Sequence, residues 1–206
     1  MTVNKKFLIV YKLFFALLGL SAVVTEIATI IERGIFNASN FFSYFTIETN
    51  IIVICVFLLS SYAVAMGKNK KLDVIRAAVT VYILIVGIGF AVLLAGLENT
   101  TLTAVPWDNI VLHYIIPVAV LIDYLIDRPA TKILFKSSLK WLLFPVSYVV
   151  YSLVRGPIVD WYPYPFLNPT INGYIGVAVP VVGLVLLALT LQGFVCKLSG
   201  KNRRKA

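Results

Sequence analysis

Residues 42–66 read FSYFTIETNIIVICVFLLSSYAVAM. The stretch is long and apolar enough to cross about 30 Å of hydrocarbon as a helix. Its opening turns nevertheless carry Ser43, Thr46, Glu48, Thr49 and Asn50. A spanning helix that keeps polar groups at one end spends them on other helices or on a ligand. Helical spacing sets Ser43, Thr46 and Asn50 on one stripe, with Thr49 beside it and Glu48 turned nearly the other way.

Working outward from this segment, apolar stretches of similar kind occupy residues 7–31, 77–97, 110–126, 141–154 and 174–196. The chain is 60% hydrophobic and 13% charged over 206 residues, with a mean hydropathy of +0.94. That is too apolar for a soluble domain of this size. The expected fold is all-α: a polytopic bundle of six transmembrane helices forming one domain, 1–206. A cleavable signal peptide is not expected, because the first apolar run is about twice a typical h-region and no A-x-A-like site closes it.

The net charge of +9 does not point to nucleic acid. With the N-terminus placed on the cytoplasmic side, the inner segments hold Lys5, Lys6, Lys12, Lys68, Lys70, Lys71 and Arg76. They also hold Arg128, Lys132, Lys136, Lys140, Lys197, Lys201, Arg203, Arg204 and Lys205. Only Arg33 and Arg155 fall outside. This asymmetry is the positive-inside pattern, so both termini are expected to be cytoplasmic and the protein to reside in the cell membrane. One histidine and two distant cysteines, Cys55 and Cys196, build no metal site and no disulfide; no cofactor is expected. The first three spans do not resemble the last three, which argues against an inverted-repeat transporter.

Depth within the bilayer follows from this topology. Thr46 and His113, the sole histidine, each lie about one turn, roughly 6 Å, inside the outer boundary. Glu26 in the first span and Arg155 at the end of the fifth reach the same layer. Tyr148, Tyr151, Ser152 and Arg155 share a face of the fifth span. Pro117 follows His113 by four residues and leaves the His113 carbonyl without a helical N–H, so a kink is expected there. Asp123 and Asp127 lie at the inner end of the fourth span, where pairing with the basic loop that follows is expected, and the rest of the inner half is mostly apolar. The outer segment RGPIVDWYPYPFLNPTINGY carries four prolines among aromatics. Its Trp161, Tyr162 and Tyr164 suit either an interfacial aromatic belt or a lid over a cavity.

The runs FFSYFTIETNIIV, NIVLHYIIPVAVLIDYL and RGPIVDWYPYPFLNP followed by GY resemble the bacterial "Pr-six-Pr" family of six-span membrane proteins, over nearly the whole chain. More distantly the chain is similar to the androgen-induced, FAR-17a-like membrane proteins of animals, which hydrolyse fatty acid esters of hydroxy fatty acids with an intramembrane threonine and a histidine. By this resemblance Thr46 in Tyr44-Phe45-Thr46 corresponds to the nucleophile, His113 with Pro117 to the histidine, and 161–166 to the aromatic-proline stretch. Glu48 and Asn50 depart from the animal pattern.

The chemistry expected of such a pair is nucleophilic hydrolysis. Thr46 Oγ1 attacks a lipid ester carbonyl while His113 serves as general base and then acid. Asn50 and Ser43 are candidate oxyanion donors, and Arg155 is a candidate to hold a free carboxylate. Tyr151 and Trp161 are candidate substrate contacts. Glu26 or Asp108 is available to orient the imidazole. The expected partners are membrane lipids and a lipid ester or fatty-acid-like substrate, with no nucleic acid. The rival readings are a non-catalytic lipid or small-acid binder or carrier using the same outward cavity, and a structural subunit in which Thr46 and His113 only join helices.

Overall fold

The computed structural model describes residues 4–67, 72–97 and 105–200. Lys68, Lys70, Lys71, Lys201, Arg203, Arg204 and Lys205, on which much of the charge asymmetry rests, lie outside the described residues. Among the described residues there is no strand, and six helices are long and apolar enough to cross a membrane. They are α1 (Lys5–Glu32), α2 (Phe45–Ala65), α3 (Asp73–Leu93), α4 (Pro106–Ile126), α5 (Phe135–Val159) and α6 (Pro169–Leu198). The protein has the architecture of a multi-pass membrane protein.

The helices are long because apolar residues run all round them, while polar residues are confined to single stripes. In α1 the buried stripe is Leu8, Lys12, Ala16, Gly19, Val23 and Glu26, spaced by three or four. Its opposite face, with Val10, Phe14, Leu17 and Val24, is exposed. Such a face suits lipid rather than water. Small residues let the helices approach: a Cβ at Gly19 would sit 3.3 Å from Ile54 of α2 and 3.5 Å from Ile116 of α4. The α2 and α3 helices form the centre, with more than half of their most apolar stretch buried, whereas α5 and α6 leave most of their surface open.

Helix boundaries differ from the apolar windows in informative places. The third helix starts at Asp73, ahead of the expected 77, and ends at Leu93. The fourth begins at Pro106, a residue suited to a first helical turn. The fifth begins at Phe135 and runs through Lys136, Lys140 and Arg155 to Val159. Hydropathy windows stop at charges, but the backbone continues wherever those charges are paired or reach the interface.

The sharpest correction concerns the aspartates at the end where α1 begins. Asp123 and Asp127 do not pair with the loop that follows them. The Lys12 ammonium of α1 contacts the Asp123 carboxylate and lies 3.4 Å from Asp127. Arg76 Nη2 of α3 donates to Asp123 Oδ2 at 2.9 Å and to the Asp127 carbonyl at 2.8 Å. Asp73 accepts the Ala130 and Thr131 N–H groups at 2.7 and 3.1 Å. All five side chains are buried, so this half of the bundle is not the apolar block expected of it. In low dielectric a buried charge stays ionised only beside an opposite one, while loop lysines are better solvated in water.

Breaking this cluster from one side leaves charges uncompensated. Asp123→Ala should lower stability by about 3–5 kcal/mol, whereas Lys140→Ala, on an exposed side chain, should stay within about 0.5 kcal/mol. Denaturation of the detergent-solubilised variants measures both.

Candidate functional site

At the opposite end of the bundle α2 begins at Phe45, with Tyr44 as its N-cap and no capping side chain on it. Thr46 is therefore the second helical residue. Its N–H is one of the four at a helix start that have no partner within the helix. Tyr164 supplies the partner: its hydroxyl accepts the Thr46 N–H at 3.1 Å and lies 3.2 Å from Thr46 Oγ1. Pro165 explains how a loop side chain reaches so deep. A residue before proline is driven into extended backbone, and Tyr164 has φ −135° and ψ 141°. Its ring stacks on Phe166 at 5.3 Å and meets Tyr44 edge-on at 5.7 Å. Burial pushes the Tyr164 hydroxyl up to about 12, so it remains a donor throughout the physiological range.

His113 comes from α4, whose turn Val111–Ile115 is π-helical. The missing N–H of Pro117 is thus accommodated by a widened turn, an irregularity that often accompanies functional residues. Pro117 and the His113 carbonyl press against Gly87 of α3, where a Cβ would lie 3.0 and 3.2 Å from them. Phe90, one turn further along α3, stacks on the imidazole at 3.9 Å between centroids and 25° between planes. The ring is held from both sides of its edge as well. Nδ1 lies 3.1 Å from the Asn109 carbonyl, and Nε2 lies 3.3 Å from Thr46 Oγ1.

The Asn109 contact fixes the tautomer of the histidine. A carbonyl only accepts, so His113 Nδ1 carries the proton and Nε2 presents its lone pair to Thr46. Thr46 Oγ1–H has this lone pair within reach at 3.3 Å, and between the Thr46 and Tyr164 hydroxyls, 3.2 Å apart, either can donate. The backbone carbonyl of Asn109 orients the imidazole.

Two cavities meet at this chain. One, of about 290 Å³, has an almost wholly apolar wall that includes Ile85, Phe90, Val149, Phe166 and Leu184. The other, of about 270 Å³, is lined by Glu26, Asn37, Asn40, Tyr44, His113 and Trp161 among others. Thr46, Leu94 and Tyr164 belong to both walls. The threonine hydroxyl therefore stands at the seam between an apolar and a polar chamber.

Of the residues singled out from sequence, Thr46 and His113 come together, and Glu26 and Trp161 face the polar chamber. Asn50, Ser43, Tyr151 and Arg155 line neither cavity. The Asn50 amide donates to the Thr46 and Leu112 carbonyls at 2.9 and 3.4 Å, tying α2 to α4. Ser43 Oγ bonds the Ser39 carbonyl and, at 2.8 Å, the Tyr151 hydroxyl. Arg155 donates to Ser39 Oγ at 2.9 Å and Asn40 Oδ1 at 2.6 Å, and its guanidinium lies 5.3 Å over the Trp161 ring. The sequence offered Tyr164 only as part of an aromatic belt or lid, and gave no reason to name Phe90 or the Asn109 carbonyl. Of these only Tyr164 carried a signal, the flanking Pro163 and Pro165.

No protein-family model matches the chain, and no curated protein or solved structure matches it.

Tyr164→Phe removes the acceptor from the buried Thr46 N–H while keeping the ring. It should cost about 1–3 kcal/mol, the usual penalty for an orphaned buried donor. Trp161→Phe, which leaves that hydrogen bond in place, serves as the comparison in the same denaturation experiment.

Proposed function

We propose that the protein is an intramembrane hydrolase of lipid esters, with Thr46 as nucleophile and His113 as general base. The observation that carries this reading is the directed chain from Thr46 Oγ1 through His113 to the Asn109 carbonyl, at the seam of an apolar and a polar chamber. The distant resemblance to the FAR-17a-like threonine hydrolases points the same way.

In the proposed reaction the substrate enters sideways from the membrane, with its acyl chain in the apolar chamber and its ester at Thr46. Thr46 Oγ1 attacks the carbonyl carbon as its proton passes to His113 Nε2. The resulting oxyanion forms at the positive end of α2, within reach of the Thr46 N–H and the Tyr164 hydroxyl. These replace Asn50 and Ser43 as the oxyanion donors we favour. Collapse breaks the ester C–O bond, and the departing alcohol takes the proton from His113. Water then attacks the acyl-threonine carbonyl, giving one proton to His113; collapse breaks the acyl C–Oγ1 bond, His113 returns that proton to Thr46 Oγ1, and the acid leaves. With both termini on the cytoplasmic side of the cell membrane, as the distribution of basic residues supports, this chemistry takes place in the outer leaflet.

A second reading, a non-catalytic lipid or small-acid carrier, draws on the buried charges of Lys12, Arg76, Asp123 and Asp127 in the other half of the bundle. One experiment separates the two. Purified protein should hydrolyse a long-chain acyl ester, with Thr46→Ala inactive and His113→Ala slower by about 10²–10⁴-fold. Thr46→Ser, which keeps the hydroxyl, should retain turnover. Absence of hydrolysis in wild-type protein that still binds the lipid would favour the carrier.

A further inference from the structure

The proline loop that carries Tyr164 is seated by a contact that lies outside both chambers. Gly156, near the end of α5, is buried, and the Tyr162 ring rests directly on its backbone. A Cβ at Gly156 would fall 2.0 Å from Tyr162 Cε1 and 2.3 Å from Cζ, inside the ring's van der Waals surface. No other described glycine is approached so closely. Neither residue lines a chamber wall.

The chain is turned back onto α5 to make this contact. Asp160 takes the left-handed conformation, φ 49° and ψ 41°, and its N–H donates to the Gly156 carbonyl. The Trp161 N–H donates to the same carbonyl at 3.2 Å. Two N–H groups satisfied in this way end the helix and send the next residues back across the glycine. Tyr164 follows Tyr162 by two residues. Pro163 between them fixes its own φ and disfavours helical backbone at Tyr162, so little slack separates the two rings. The loop's far end is held as well, since the Asn172 amide donates to the Pro165 carbonyl at 2.7 Å and the Asn168 carbonyl at 3.2 Å.

We propose that Gly156 and Tyr162 are positioning residues for the site. The ring seated on bare glycine backbone fixes the loop so that the Tyr164 hydroxyl stays on the Thr46 N–H and Oγ1. The consequence for turnover rests on the hydrolase reading, whereas the positioning itself does not. A tyrosine that has to stay within hydrogen-bond reach of two atoms of one threonine tolerates little displacement of its loop.

Hydrogen exchange at the Thr46 amide, resolved by mass spectrometry of detergent-purified protein, reads the positioning without any substrate. Tyr164→Phe sets the scale for a lost acceptor. Gly156→Ala should speed exchange at Thr46 by at least about fivefold, although alanine in place of glycine ordinarily favours a helix. Tyr162→Ala should do the same, and Tyr162→Phe, which keeps the ring, should match wild type. Gly156→Ala combined with Tyr162→Ala should be no worse than Tyr162→Ala alone, because both remove one contact. Amides near Val53, in the middle of α2, should keep their wild-type rates in every variant. In ester hydrolysis Gly156→Ala should lower kcat about tenfold with KM changed less than about threefold. Wild-type exchange at Thr46 in Tyr162→Ala, a loss of protection shared equally by the Val53 region, or a Tyr162→Phe variant as impaired as Tyr162→Ala overturns the proposal. Tyr162→Ala, which only removes bulk, decides where Gly156→Ala fails to fold. Localised loss of protection in a protein that hydrolyses no ester would leave the positioning standing and remove the hydrolase reading alone.

Discussion

In hydrocarbon a polar group has no water to fall back on, so each one that enters the layer has to find its partner within the protein. Two such settlements hold this bundle together. At one end Lys12, Asp73, Arg76, Asp123 and Asp127 bind α1, α3 and α4 through buried ion pairs. At the other, Thr46, His113, Asn50 and Tyr164 bind α2, α4 and the loop before α6 through hydrogen bonds. The α4 helix takes part in both. Its position is thereby fixed at each end, and the imidazole it carries is held between Phe90, Asn109 and Thr46 rather than left to choose among rotamers.

This rigidity matters for the proposed chemistry. A general base works only if its lone pair is already aimed at the proton it removes. Here the aim comes from a backbone carbonyl four residues earlier in a π-helical turn, and that turn exists because Pro117 cannot supply the regular N–H. The nucleophile's setting has a similar origin. A helix start that lacks its own cap leaves N–H groups to be satisfied from outside, and the tyrosine that satisfies them also touches the threonine hydroxyl. A capping defect and a proline irregularity, each costly alone, together produce the geometry of the site.

Much of the architecture was legible in the sequence because hydropathy acts over whole segments: six apolar stretches became six helices long enough to cross a membrane. The common depth of Thr46 and His113 followed from counting residues from the same boundary. Contacts that depend on which helices are neighbours were not legible. Asp123 was assigned to the adjacent basic loop because sequence proximity was the only guide, whereas its partners lie 111 and 47 residues away. Asn50 shares a stripe with Thr46, yet its amide turns to carbonyls, since stripe membership does not set a side chain's rotamer. Tyr164 was grouped with its aromatic neighbours because the proline-rich stretch reads equally well as a belt or a lid. The Asn109 carbonyl carries no sequence signal at all, as every residue has one.

The identity of the nucleophile is the point on which the functional reading turns. Incubating the purified protein with a long-chain fluorophosphonate, digesting it and locating the adduct by mass spectrometry addresses that point directly. The adduct should fall on Thr46 in the wild-type protein and disappear in His113→Ala, which keeps the hydroxyl but lacks the base. An adduct on any other residue, or one on Thr46 that forms equally well without His113, would contradict a threonine nucleophile activated by this histidine.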